Sequence, residues 1–169
     1  MTLEELLTGQ HPAFSEALEV NPLTEEDALQ EVQLLDVRFD AVHSSVGLLL
    51  ELRNALQIRT ANTGLLVARE VTRLIWSAVP RITLRTAWSI IGSSPRYESR
   101  LFDLRLTMFP SARLDLTAGS ASFYVGDVQG IGEAPPDYGE DEEVVKMGLP
   151  GWDSSLSTIR AVSTLHLEA

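Results

Sequence analysis

The chain has 169 residues, 44% of them hydrophobic and 22% charged, too apolar for a wholly disordered polymer and of the length of one domain. With no cysteine, a disulfide scaffold, a thiolate zinc site and a cysteine nucleophile are excluded. The net charge of −11 argues against free nucleic-acid binding, which favours a net basic domain.

The chain order predicts helices first. Leu3, Leu6 and Leu7 form one apolar stripe, and Phe14, Ala17 and Leu18 form another after Pro12. Thr24 reads as an N-cap, Glu25 and Glu26 suit a helix start, and Asp27 stands at the capping-box position. Ala28, Leu29 and Val32 would be that helix's apolar side. The first 31 residues are thus expected to be helical.

From Val32 the period becomes two. Leu35, Val37, Phe39 and Ala41 alternate with Asp36, Arg38 and Asp40, the pattern of a half-buried strand. His43-Ser44-Ser45 predicts a turn, and Val46–Arg53 a returning strand with Leu48, Leu50 and Leu52 on one face. Leu65–Trp76 predicts one long bent strand or two short ones. Leu84–Ile91 follows, ended by Gly92-Ser93-Ser94-Pro95. Phe102, Leu104, Leu106 and Met108 give the clearest alternation, stopped at Pro110. Leu114 and Leu116, then Phe123 and Val125, mark two short strands around Ala118-Gly119-Ser120. Trp76 and Trp88, inside strands, are expected in the core. Residues 126–151 predict an acidic, Gly/Pro-rich loop, and residues 152–169 a last strand carrying Ile159, Ala161, Ser163 and Leu165.

Consecutive strands without intervening helices predict an α+β fold. It would be one domain, 1–169, with a mostly antiparallel, curled sheet of about seven to nine strands at 32–125 and beyond, and short helices at the N-terminus.

Charge is distributed unevenly. Residues 1–40 hold ten acids against Arg38, a net of −9; residues 41–126 carry a net of +5; residues 127–169 carry a net of −7. Twelve of the thirteen basic residues are arginine, a bias that fits GC-rich coding DNA without calling on function; Lys146 is the exception. Met1–Leu7 carries acids where a secretory signal needs positive charge, and no apolar run approaches the roughly 20 residues of a membrane span. The expected setting is therefore cytoplasmic, with no membrane and no nucleic-acid partner.

Motifs for chemistry are sparse. His11, His43 and His166 have no neighbours at metal-ligand spacing. Gly119-Ser120-Ala121-Ser122-Phe123 lacks the second glycine of a nucleophile elbow. Gly126, Gly130 and Gly132 read as turn glycines, and Asp137–Glu143 lacks the spacing of a calcium loop. No catalytic residue, metal or cofactor is expected. The most informative local feature is the cluster of Asp137, Tyr138, Glu140, Asp141, Glu142 and Glu143, with Trp152 shortly after. Clustered acids steer a basic partner and an aromatic side chain supplies packing area, so these residues form the candidate partner-binding set.

Leu34–Asp40, Val46–Leu52, Asn62–Ala68 and Leu74-Ile75-Trp76 give a short helical start, a hairpin with alternating acids and a strand ending in an apolar-Trp step. This pattern, over about residues 24–125, resembles small immunity proteins encoded beside bacterial toxins. The resemblance implies a cytoplasmic, non-catalytic protein that binds and neutralises a basic toxin. Two other readings stay open: an enzyme or small-ligand binder with a site assembled from distant strands, and an accessory subunit of a larger assembly.

Overall fold

The structure, a computed structural model, describes residues 1–9, 18–81 and 83–167. Nine strands form one open, wholly antiparallel sheet. In chain order they are β1 (Gln33–Asp40), β2 (Ser45–Glu51), β3 (Thr63–Arg69), β4 (Arg73–Ala78), β5 (Trp88–Glu98), β6 (Leu101–Phe109), β7 (Ala112–Ala118), β8 (Ser120–Asp127) and β9 (Ser157–Ser163). Their spatial order is β4-β7-β6-β5-β1-β2-β3-β8-β9. The described helices are short: α1 (Leu3–Thr8), α2 (Glu142–Met147) and a 3₁₀ turn at Thr164–His166.

Two hydrophobic clusters cover the two faces of the central strands. The larger joins Leu48, Leu50 and Leu66 to Phe102, Leu104 and Leu114 from the other half of the sheet, with Leu23 and Leu29 packed in. β6 and β8 touch although four strands separate them in the sheet order. The smaller cluster seats Leu3, Leu6 and Leu7 of α1 with Trp152 on Leu49, Leu65 and Val67. β2, buried on both sides, therefore reads as a nearly continuous apolar run. Gly47 makes the second cluster possible: a Cβ there would come 2.9 Å from the Trp152 ring and 3.0 Å from Leu7.

Several expectations hold. The first stripe becomes α1, with a Thr2–Glu5 capping box. Leu48, Leu50 and Leu52 share one cluster, β6 alternates throughout, and 65–76 divides into two strands. Ala161 and Ser163 are buried on β9, whereas Leu165 falls in the 3₁₀ turn and is exposed.

Others are corrected. The helix expected from Thr24 is a run of turns. Asp27 and Glu31 adopt φ 58° and 65°, which breaks helical hydrogen bonding. The backbone N–H of Asp27 donates instead to Ser93 O, and that of Glu31 to Ile90 O, so the segment leans on β5 as an irregular neighbour. The capping acid is Glu25, which accepts from Asn21 N, with Asn21 Oδ1 accepting from Leu23 N. Phe14 and Ala17 of the second stripe, and His11, lie outside the described residues.

β1 breaks register between Leu34 and Asp36. The bulge turns Leu35 to the smaller cluster and Val37 to the larger; Phe39, one residue from the end of β1, is 54% exposed. β5 does not stop at Gly92-Ser93-Ser94-Pro95 but runs through it. β1 pairs β5 only at Gln33 and Leu34. Pro95 therefore sits where β5 has β6 on one side alone, and its missing N–H removes no ladder bond.

Candidate functional site

The acidic loop is built from a buried ion pair outward. Glu51 ends β2 with its side chain fully buried, and the Arg53 side chain is 3% exposed. Arg53 Nε donates to Glu51 Oε1 at 2.8 Å and Nη2 to Oε2 at 2.5 Å, a fork matched to a carboxylate. The rest of the guanidinium addresses backbone. Nη1 donates to the carbonyls of Ile131 at 2.7 Å and Ala134 at 2.8 Å, and Nη2 to that of Gly148 at 2.6 Å. One arginine thus holds both ends of the loop.

The loop's middle is held similarly. Arg85 donates to the carbonyls of Tyr138 at 3.2 Å and Glu140 at 2.6 Å. Tyr138 is half-buried, and its hydroxyl donates to Gln33 Oε1 at 2.9 Å. Burial pushes the Tyr138 phenol up to about 12; the negative Glu51 adds to this and Arg53 opposes it. Asp137 Oδ1 accepts from Gly139 N at 2.9 Å, closing an Asx turn. Residues 142–147, expected as loop, coil into α2, with two acids in its first turn and Val145 buried beneath.

Asp137, Glu140, Asp141, Glu142 and Glu143 are all exposed. Glu142 reaches Lys146 at 3.6 Å, a solvated pair one turn apart. Arg85 addresses the loop's carbonyls and Arg53 its carbonyls and buried Glu51, and among the described residues neither arginine pairs with an exposed carboxylate of the loop. Trp152 departs from the expected set. It is 9% exposed, its indole N–H donates to Asp36 Oδ2 at 2.7 Å, and the Arg38 guanidinium lies 4.6 Å from its ring centre. Its area is spent on the second core. Trp76, expected inside, is 45% exposed on β4, with its ring edge-on to half-buried Trp88 at 5.5 Å.

A second grouping lies at the end of the sheet where several turns meet. A cavity of about 440 Å³ is lined by His43, Arg69, Glu70, Tyr97 and Arg100, among others. His43 Nδ1 lies 2.7 Å from Asp40 Oδ2, and this bond holds the Asp40 carboxyl below the usual carboxylate range. Asp40 and His43 stand three apart in one turn, a local spacing that sequence reasoning missed. Arg69 and Arg100, brought from β3 and the β5–β6 turn, carried no sequence signal. Among the described residues no group of three or more His, Asp or Glu side chains is placed to hold a metal, and no helix is long and apolar enough to cross a membrane.

No family model matches this chain, and no curated protein matches it. Among solved structures, an uncharacterized protein from Neisseria gonorrhoeae is similar at 8% identity over 59% of this chain and 94% of that one, with a TM-score of 0.45. A likeness that loose carries no argument about either protein's role.

Proposed function

We propose that this chain is a non-catalytic, acidic protein-binding domain, and that its partner is a basic protein of the kind an immunity protein neutralises in the bacterial cytoplasm. One observation carries the reading: the backbone of residues 131–148 is fixed by Arg53 and Arg85 while Asp137, Glu140, Asp141 and Glu143 stand exposed. A fixed backbone lowers the ordering cost of binding, and unanswered charge speeds encounter with an opposite surface. We read the sheet as curled about its larger cluster, which the contact between β6 and β8 supports; curling would present the loop on a rigid wall.

The test is capture from the native host followed by titration of the captured protein. One basic protein is expected, its association slowing as salt rises. The variant Asp137→Asn/Glu140→Gln/Asp141→Asn/Glu143→Gln should slow association by roughly tenfold or more, the low end of what steering supplies. Salt-independent binding, or a variant that binds as fast as the parent, would refute the reading. The cavity at His43 supports a second one, a small-ligand or enzymatic site; a ligand displaced by His43→Gln would favour it.

A further inference from the structure

The sheet ends in two edges that are treated very differently. β9 closes one side. Its pairing with β8 breaks register between Val125 and Asp127, Thr158 adopts φ 53°, and Arg160 sits mid-strand. The preceding segment is tied to α1: Leu3 N donates to Ser154 O, Leu156 N donates to Met1 O, and Thr2 bridges to Ser155. Bulges, a central charge and covering chain are devices that keep an edge from pairing with another molecule.

β4, at the other side, has none of these. It pairs with β7 in unbroken register from Arg73–Thr117 to Ala78–Ala112. It contains no proline, and after Arg73 no charge. Ile75 and Trp76 are exposed on it. Its outer side has no strand partner among the described residues.

The ladder fixes which groups face outward. Val79 N donates to Ser111 O at 3.0 Å, one step past the Ala78–Ala112 pair. Hydrogen bonding alternates along an antiparallel strand, so Ser77 and Ile75 also address β7. Leu74, Trp76 and Ala78 therefore turn their N–H and C=O groups to the free side.

We infer that β4 pairs with β4 of a second copy of this chain, antiparallel, about a two-fold axis at Trp76. In that register Trp76 faces its symmetry mate and Leu74 faces Ala78. The strand's single charge, Arg73, falls opposite Val79 at each end, so no like charges meet along the seam. Continued past the strand ends, the same register sets Arg81 of one copy opposite Val71 of the other, one residue from Glu70, so charges of opposite sign flank each end of the seam. Trp76 is already braced by Trp88, so the two-fold brings two such pairs together into one apolar patch. A second copy meets every requirement of the edge because the edge complements itself. A six-residue seam is small beside a standard interface, so the dimer is concentration-dependent. Each copy carries −11, so salt strengthens it by screening net repulsion.

Sedimentation equilibrium over a range of protein and salt concentrations tests this. The mass should rise from 18.6 kDa towards twice that with concentration, and rise further with salt. Salt acts in the opposite sense on the acidic-loop partner, so the two readings fail separately. Trp76→Lys should weaken association by roughly tenfold or more, because like charges then oppose at the axis. Trp76→Cys keeps the test valid should that variant misfold. The chain has no other cysteine, and directly bonded antiparallel pairs stand about 5.5 Å apart at Cα, within disulfide reach. Mild oxidation should link Trp76→Cys into a covalent dimer and leave Val144→Cys, an exposed site on α2, monomeric. A chain that stays monomeric at high concentration and high salt overturns the inference. So does a dimer that survives Trp76→Lys, or equal cross-linking of both cysteine variants.

Discussion

Arg53 and Arg113 are the same side chain in opposite settings. Arg53 is buried, forks onto buried Glu51 and holds three carbonyls of the acidic loop. Arg113 lies on the open face of β7, where it and Arg105 both reach Asp115 at 3.1 Å. On that face charge is answered within the sheet, between neighbours in strand register. In the loop Arg53 and Arg85 hold backbone carbonyls, and among the described residues Asp137, Glu140, Asp141 and Glu143 have no ion-pair partner. The contrast teaches that the basic middle of the sequence does not simply neutralise the acidic ends. Its arginines divide between fastening a loop and balancing a surface, and only the first leaves net charge on display.

The largest effect should follow from Arg53→Met. It strands a buried carboxylate and three carbonyls, and loss of one partner of a buried pair costs about 3–5 kcal/mol. Urea unfolding would measure that loss, with faster amide exchange at 131–148. Glu51→Leu with Arg53→Met should recover part of the stability, because no charge is then buried, yet exchange at 131–148 should stay fast. A double variant with a protected loop would show that the carbonyl bonds are not what holds it.

Tyr138→Phe is next. It removes the bond to Gln33 and should cost about 1 kcal/mol. The pH dependence has a definite sign. The phenol is raised from 10.0 to about 12 in the folded state. Its contribution is therefore complete below pH 10 and lost as pH climbs towards 12. Absorbance titration of the parent against Tyr138→Phe should find one tyrosine fewer ionising late; ionisation near pH 10 would mean that the loop does not cover the ring.

The smallest effect belongs to Arg113→Ala. Burial alone would raise the Asp115 carboxyl, but hydrogen bonds from Arg105 and Arg113 outweigh it and hold the group below 3.8. Removing Arg113 should move it back up towards 3.8, followed by NMR titration. The stabilisation it gives, present above the ordinary carboxylate range and lost as pH falls, is within about 1 kcal/mol. A loss as large as that of Arg53→Met would erase the distinction between the two settings.

The sequence determined what depends on near neighbours. The alternation of Phe102 to Met108, the return at Ala118-Gly119-Ser120, the stripe of Leu3, Leu6 and Leu7 and the turn at His43 each follow from pairs a few residues apart, and strands without helices between them must pair antiparallel. Tertiary structure decided whatever rests on a distant partner. Asp27 and Glu31 leave the helical region because β5 offers them hydrogen bonds. Leu35 and Val37, two apart in the alternation, serve opposite clusters because a bulge at Leu34–Asp36 reversed the strand's parity. Trp152 is buried and Trp76 exposed, against expectation, because Gly47 opens a seat for one ring and β4 falls at the rim of the sheet for the other. Two segments of equal hydrophobicity gain unequally from burial when the topology leaves one of them an edge, and that placement is a property of strand order, which no local pattern encodes.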